Sequence, residues 1–528
     1  MSGTVFEAFA GSARRWGERP FLAVLPEVAQ AYGIAAGEIL YREAARLVDD
    51  LARRYDHAGW RPGHRIGLLL ENRPAFLLHW FALNRLGASV VPINPDLRAS
   101  DLGYLVGHSE IAAAIAPPAR HGDLAAAAQG RPLALFGSED PPPPPALPPA
   151  AFGGEAALLY TSGTTGMPKG CVLGNEYFLL AGRWYAEAGG LIALREGVER
   201  MLTPLPLLHM NAMAYSVMAM LMTGGCLVLL DRFHPKSWWA SVAAARASQV
   251  HYLGVMPPIL MAAPASPRDR EHQVRFGFGA GVDRNLHAAF EARFGFPLVE
   301  AWAMTETGAG AVVAANEEPR HVGSSCFGRP GADVAVRVCH EDGGEAAAEE
   351  PGELLVRHAG PNPRLGFFRE YLKDRRATAE AWEGGWFHTG DIVRRAADGS
   401  LHFVDRKKNV IRRSGENIAA VEVEGVLQQH PAVRAAAVAG VPDPLRGEEV
   451  AACVVADRAP SAALAAEITQ WCRERLAYYK APGYLAFVDT LPLTTTQKLQ
   501  RGEVKALAAR LVAGGGAIDL RALKRRGG

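Results

Sequence analysis

The apolar run Ile66-Gly67-Leu68-Leu69-Leu70 constrains this chain more than any other stretch. With no polar alternation, it reads as a strand buried on both faces, which requires helices above and below. Its neighbours supply them. Residues 41–58 place Ala44, Leu47, Val48, Leu51 and Tyr55 on one helical face. A helix over residues 73–86, the strand SVVPI at 89–93 and a helix near 99–108 continue the rhythm. Strands alternating with helices of this length predict βαβ units and a mainly parallel sheet, so the fold class is α/β.

The rhythm breaks at residues 137–150, GSEDPPPPPALPPA, where five consecutive prolines favour an extended polyproline II segment. A semi-rigid surface connector explains it better than a partner-binding motif. From 155 to 310 the α/β pattern resumes through AALLY, CLVLL, QVHYLGV and PLVEAW. Residues 330–405 show short alternating segments (VAVRVC, GELLVRH, HFVDR) with turn signals, which predict antiparallel β structure. After Arg406 a helix, two strands and a further helix over 461–477 predict a compact α+β domain. The tail GGGAIDLRALKRRGG reads as a loose, solvated end, and no internal repeat is visible.

Composition narrows the function. The chain has 528 residues with 56 Lys+Arg against 55 Asp+Glu, a net charge of +1 that disfavours a dedicated nucleic-acid binder. Six cysteines lie far apart without a Cys-x-x-Cys pair, which fits neither a disulfide framework nor a zinc site and suits a reducing, cytoplasmic setting. The first residues lack the apolar core of a signal peptide. The longest stretch free of Asp, Glu, Lys and Arg, Met201–Leu230, contains Pro204, Pro206, His209 and Gly224-Gly225. Buried α/β elements account for it better than a membrane span.

The chemistry concentrates first in LLYTSGTTGMPKG, residues 158–170. An apolar strand leads into Thr161, Ser162, Gly163, Thr164, Thr165 and Gly166, and Lys169 closes the loop. Small residues leave backbone N–H groups open, and hydroxyls plus one ammonium can surround a phosphate. The Walker pattern does not fit, because Lys169 stands between Pro168 and Gly170.

This loop resembles the phosphate-binding signature of the adenylate-forming superfamily, which comprises acyl- and aryl-CoA synthetases, adenylation domains and luciferases. Later segments resemble the same family in the same order over residues 4–510. In AWAMTETG (301–308) the resemblance implies Ala301 and Trp302 against adenine, Thr305 at the α-phosphate and Glu306 on Mg²⁺. A single carboxylate beside a hydroxyl suits a hard cation shared with substrate phosphates. Trp302 and Ala303 depart from the family's Tyr and Gly. The added methyl either narrows the acyl tunnel or is absorbed by a loop shift. FGAGVD puts Gly279, Ala280 and Gly281 at the adenine, with Val282 in place of the usual proline. PLPLLHMNAM makes His209 a substrate-side candidate, although a lone histidine is more often a core residue.

In GWFHTGDI and VDRKKNVIRRSGEN the resemblance assigns Asp391 to the ribose hydroxyls, Arg406 to ribose and phosphate, and Lys408 to an interdomain hinge. Arg412, Ser414 and Gly415 fall on the nucleotide and pantetheine side. LPLTTTQKLQRGEVK places the catalytic lysine at Lys498, preceded by Gln497 where the family commonly has Gly. The implied division is an N-terminal catalytic domain over 1–407, α/β subdomains plus a small β-barrel-like part, and a mobile C-terminal cap over 408–528.

The resemblance implies an ATP-dependent carboxylic acid–CoA ligase with Mg²⁺ and coenzyme A. The carboxylate attacks the α-phosphate, with Lys169, Lys498, Thr305, Glu306 and His209 as the catalytic set. The cap then rotates about Lys408 so that the CoA thiol can attack the acyl-adenylate. The segment VDRKKNVIRRSGENIAAVEVE looks close to bacterial crotonobetaine/carnitine-type CoA ligases. Alternatives are an acyl-AMP ligase or adenylation enzyme loading a carrier protein, a luciferase, and a nucleotide-binding pseudoenzyme. Expected partners are a small carboxylic acid, ATP and CoA, with no nucleic acid and no membrane span. The oligomeric state, including a homodimer, stays open. Acyl-pocket candidates are His209, Met213, Tyr215, His251, Phe278, Ala301 and Ala303.

Overall fold

The computed structural model describes residues 3–97, 99–161, 168–413, 416–444, 446–493 and 499–524. Side chains at 99–101, 408, 412, 416 and 417 are outside the description as well. The chain divides into two compact units, one of residues 1–336 and 356–388, the other of residues 337–355 and 389–528.

The first unit contains two sheets. The run at 66–70 supplies the Arg65–Leu68 strand, buried throughout, in a six-stranded sheet. Its parallel neighbours are Ser89–Pro92 and Ala113–Ile115. The edge is the antiparallel pair Glu155–Thr161 and Lys169–Gly174. The eight-stranded sheet runs Val313–Ala314, Leu298–Trp302, Phe276–Ala280, Gln249–Leu253, Arg200–Thr203, Cys226–Leu229, Pro20–Val24, Gly37–Leu40. Its inner six strands are parallel and only its two edge strands are antiparallel. Parallel order follows from helical crossovers, which put apolar layers on both faces.

The helix Tyr41–His57 buries Tyr41, Ala44, Val48, Ala52 and Tyr55, but Leu47, placed on the core face by periodicity, is 46% exposed. It lines an open groove with Val24 and Ile39 instead of being covered. A buried ion pair ties the six-stranded sheet together: Arg65 Nε and Nη2 donate to Glu155 Oε1 and Oε2, each at 2.8 Å. Such a bidentate pair is tolerated inside a core because both charges are hydrogen-bonded.

The proline-rich segment is a strap bonded to this unit. Trp60 Nε1 donates to Pro143 O at 2.9 Å, and Ala150 N and Ala151 N both donate to Gly63 O. The uncharged stretch at 201–230 divides into the Arg200–Thr203 strand, a π-helical turn Asn211–Ser216, the helix Val217–Thr223 and the Cys226–Leu229 strand. Among the described residues, no helix is long and apolar enough to cross a membrane.

The second unit carries a six-stranded sheet with helices on both faces. Strict alternation builds it. Ala436, Val438, Val450, Ala452 and Val454 face one cluster with the helices Ala420–Gln428 and Ala462–Arg475, whereas Ala437, Ala439, Val441, Ala451 and Cys453 face the other with Arg501–Ala513. The tail expected to be loose is docked. Ile518–Asp519 pairs with Tyr484–Phe487, Leu520 is buried, and Lys524 is buried against Glu449. Its basic composition hid a short apolar register, Ile518 and Leu520, and a buried acidic partner.

Candidate active site

The glycine-rich loop closes a hairpin. Thr161 and Lys169 are cross-strand partners at the ends of its two strands. Ser162, Gly163, Thr164, Thr165 and Gly166 lie outside the described residues. The other edge of the Lys169–Gly174 strand is annexed by residues 369–372. Val172 N donates to Glu370 O (3.0 Å), Arg369 N to Val172 O (2.9 Å) and Leu372 N to Gly170 O (2.8 Å). That pairing sets Tyr371 opposite Cys171.

Tyr371 is the centre of the geometry beside this hairpin. The Lys169 ammonium lies 4.7 Å from its ring centroid, and its hydroxyl donates to Glu306 Oε1 at 2.9 Å. Burial and the Glu306 carboxylate raise its pKa, so the phenol stays a protonated donor. Burial, then Glu306, also pushes the Cys171 thiol up, which makes it a neutral packing group.

Glu306 is 7% exposed, on the turn after the Leu298–Trp302 strand. The turn is closed by Thr307 N and Gly308 N donating to Met304 O, and Phe368 N donates to Glu306 O at 2.8 Å. Only glycine fits at 308: its φ is +48°, and a Cβ would stand 2.3 Å from Tyr177 Cε2 and 2.6 Å from Gly366 O. Thr305 is half-buried beside Glu306. Among the described residues no group of three or more His, Cys, Asp or Glu can hold a metal. Glu306 by itself suits a magnesium ion whose other ligands are substrate phosphates and water.

The strand Phe276–Ala280 ends in a bend, with Gly281 at φ +80°. Glu300 Oε1 accepts from Gly281 N (2.9 Å) and Val282 N (2.8 Å), and burial raises the pKa of this carboxylate. Gly279 is buried, and a Cβ there would lie 2.2 Å from Tyr252 O, whereas Ala280 and Gly281 are exposed. Ala301 is half-buried; Trp302 is 7% exposed and tilted against Phe327 at 6.1 Å. Glu300 was not singled out from the sequence, although a carboxylate inside the apolar run PLVEAW is a readable signal. Tyr371 had none, because its role comes from pairing with a strand about 200 residues earlier in the chain.

His209 is exposed on a turn before the π-helical segment. Met213, Tyr215, His251 and Phe278 are buried together, and Ala303 is half-buried. His251 is fully buried: Nε2 meets the Tyr185 hydroxyl (3.0 Å) and Nδ1 meets Ser216 Oγ (2.8 Å) and Asn211 Oδ1 (3.2 Å). Burial pulls its pKa down to about 3, so it is a neutral, fully bonded positioning group.

In the second unit, Asp391 and Arg406 are cross-strand partners, with Arg406 Nε 2.7 Å from Asp391 Oδ1. Asp391 is 1% exposed; the Arg406 side chain is 43% exposed. Lys408 belongs to the single turn Lys407–Asn409, and Arg412 to the strand Val410–Arg413, their side chains undescribed. Ser414, Gly415 and Lys498 lie outside the described residues. The described residues on either side of 494–498 are bonded to one another and to the unit. Leu493 and Leu499 form a bridge, Gln500 N donates to Pro492 O (3.0 Å), and Arg501 pairs with the buried Glu424.

Comparison with known proteins matches residues 9–372 to the AMP-binding enzyme model, well over half of the chain. The chain belongs to the AMP-binding enzyme family. Residues 422–498 match the C-terminal domain of AMP-binding enzymes. This AMP-binding enzyme is 34% identical to a feruloyl-CoA synthase of Amycolatopsis sp over 88% of the chain and 93% of the relative. It is 29% identical to a crotonobetaine/carnitine–CoA ligase of Salmonella paratyphi A over 88% of the chain and 92% of that protein. In fold it is similar to an anthranilate CoA ligase in complex with anthranoyl-AMP (TM-score 0.82, 21% identity, 97% and 98% covered). A Bacillus subtilis o-succinylbenzoate CoA synthetase solved with its acyl-adenylate gives a TM-score of 0.80 at 24% identity, with 94% and 97% covered.

Proposed function

We propose that this AMP-binding enzyme is an ATP-dependent carboxylic acid–CoA ligase. The observation that carries the reading is the Lys169–Tyr371–Glu306 cluster at the base of the phosphate hairpin. One ammonium and one buried carboxylate flank a single phenol there. The names of relatives along most of the chain, a feruloyl-CoA synthase and crotonobetaine/carnitine–CoA ligases, support the same class of reaction.

In the first half-reaction a carboxylate oxygen of the acid bonds to the α-phosphorus of ATP as the bond to pyrophosphate breaks. Two anions must meet, so the residues' task is to concentrate positive charge on the phosphates. Lys169 does so from the hairpin, with Lys498 from the C-terminal part. Thr305 hydrogen-bonds the α-phosphate, and His209 faces the acid. Magnesium bound at Glu306 would neutralise phosphate charge and polarise the phosphoryl group. Ser162, Gly163, Thr164, Thr165 and Gly166 serve the phosphates in this reading. Gly279, Ala280, Gly281, Ala301 and Trp302 hold adenine, and Asp391 and Arg406 hold ribose. In the second half-reaction the CoA thiol attacks the acyl carbon and AMP leaves. The boundary at 407/408 serves as hinge, and Arg412, Ser414 and Gly415 serve the thioester step. Six buried cysteines that form no disulfide support a reducing cytoplasm as its setting.

The deciding experiment separates the half-reactions. Lys498→Ala abolishes acid-dependent pyrophosphate release but largely spares thioester formation from supplied acyl-adenylate. Equal loss in both defeats the assignment. Release of CoA thioester rather than transfer to a carrier protein distinguishes the ligase from a stand-alone adenylation enzyme.

A further inference from the structure

The acid itself can be narrowed from the residues around Phe278. Three rings, Trp184, Tyr215 and Phe278, stand against one another with centroids 5.6, 6.1 and 6.5 Å apart, the Trp184–Tyr215 pair edge-on at 79°. Tyr185 and His251 back Phe278 at 4.8 and 5.3 Å. Trp184 is half-buried and Tyr215 is 3% exposed, so the group has a covered floor and one accessible edge. It lies where the fold places ligands. His251 and Phe278 are register partners on adjacent parallel strands, and the Phe278 strand ends two residues later at the Gly281 bend.

The rings of the group are themselves uncharged. Its one ionisable imidazole, His251, is neutral and spends both nitrogens on Tyr185, Ser216 and Asn211. The Tyr215 hydroxyl is different: among the described residues it is buried and makes no hydrogen bond. A buried hydroxyl without a partner is costly unless something brings one. A flat ring surface answers the aromatic walls, and an oxygen on that ring answers the hydroxyl.

We propose that the carboxylic acid is an aromatic one bearing an oxygen substituent, its ring set against the accessible edge of the Trp184, Tyr215 and Phe278 group and its oxygen hydrogen-bonded by the Tyr215 hydroxyl. This rests on the ligase reading and names its substrate class. Three rings also suit a quaternary ammonium acid through cation–π attraction, but such a head group offers no acceptor to Tyr215. A straight aliphatic acid leaves both the ring faces and the hydroxyl unused.

The test compares cinnamate, 4-hydroxycinnamate, benzoate, 4-hydroxybenzoate, octanoate and a trimethylammonium acid in ATP-dependent pyrophosphate release. The oxygenated aromatic acids should give the highest kcat/KM. Tyr215→Phe should lower kcat/KM about tenfold more for them than for the unsubstituted ring acids, with the melting temperature of the free protein unchanged or raised. A uniform loss across acids overturns the hydroxyl's role, and a preference for octanoate or the trimethylammonium acid overturns the substrate class. If no acid releases pyrophosphate, the ligase reading fails on its own. Calorimetric binding of 4-hydroxycinnamate then decides the pocket: binding weakened by Tyr215→Phe supports it, and no binding overturns it.

Discussion

The Tyr371 hydroxyl donates a 2.9 Å hydrogen bond to Glu306 Oε1 while the Lys169 ammonium rests 4.7 Å from the same ring. One side chain therefore positions both charged groups of the proposed phosphate site, a carboxylate and a cation brought from segments far apart in the chain. Neither contact involves a bond that forms or breaks, so Tyr371 acts through Glu306 and Lys169 as a positioning residue.

Removing its hydroxyl should be felt through the metal. Tyr371→Phe keeps the ring under Lys169 but removes one hydrogen bond from Glu306 Oε1, and partners of metal-binding side chains are typically worth 10–100-fold in affinity or activity. The apparent Mg²⁺ requirement for pyrophosphate release should rise by about tenfold, with the ATP requirement at saturating Mg²⁺ changing much less. An unchanged Mg²⁺ titration would contradict the role. Thermal unfolding of the variant checks that the loss is not a folding defect.

Acid should destabilise the first unit through its buried histidines. Burial pulls His251 down to about 3 and His79 to about 4, against about 6.5 when unfolded. Between those values the unfolded chain binds more protons than the native one, so stability is full above about 6.5 and is lost as pH falls toward the folded values. The expected cost at pH 5 is on the order of 1–2 kcal/mol per histidine. Urea midpoints at pH 7.5 and 5 should differ accordingly, and His79→Gln, which cannot titrate there, should shrink the difference. His79 bonds Tyr55 Oη and Ser138 O, so that variant is also less stable at pH 7.5.

The docked tail makes a claim on the second unit. Leu520 is 6% exposed within its larger apolar cluster, so Leu520→Ala should cost about 2–3 kcal/mol. Burial lowers the Lys524 ammonium to about 8 despite Glu449 beside it. A lysine depressed in the fold binds fewer protons than the unfolded chain between about 8 and 10.4, so its contribution to stability rises with pH across that window. Lys524→Met should flatten that rise. Chemical denaturation followed from pH 7.5 to 10 reads both variants; no effect of Leu520→Ala would return the tail to a solvated end.

The amino-acid sequence alone determined the elements and the family. Apolar runs too long to alternate dictated buried parallel strands, and the loop 158–170 with AWAMTETG named a nucleotide chemistry, because strand burial and phosphate binding are each decided by residues adjacent in the chain. Leu47 shows the limit of periodicity: it marks a face, and how far the neighbouring layer extends decides whether the residue is covered. The tail fails for the same reason, since its docking depends on Glu449 and the Tyr484–Phe487 edge, neither visible from a basic, glycine-rich composition. Tertiary structure decided that Tyr371 joins Lys169 to Glu306, that Glu300 holds the Gly281 bend, and that Tyr215 keeps a buried hydroxyl beside two rings. Each of these joins segments that no local pattern connects. A side chain's chemistry is written in the sequence, but its partner is chosen only when strands pair.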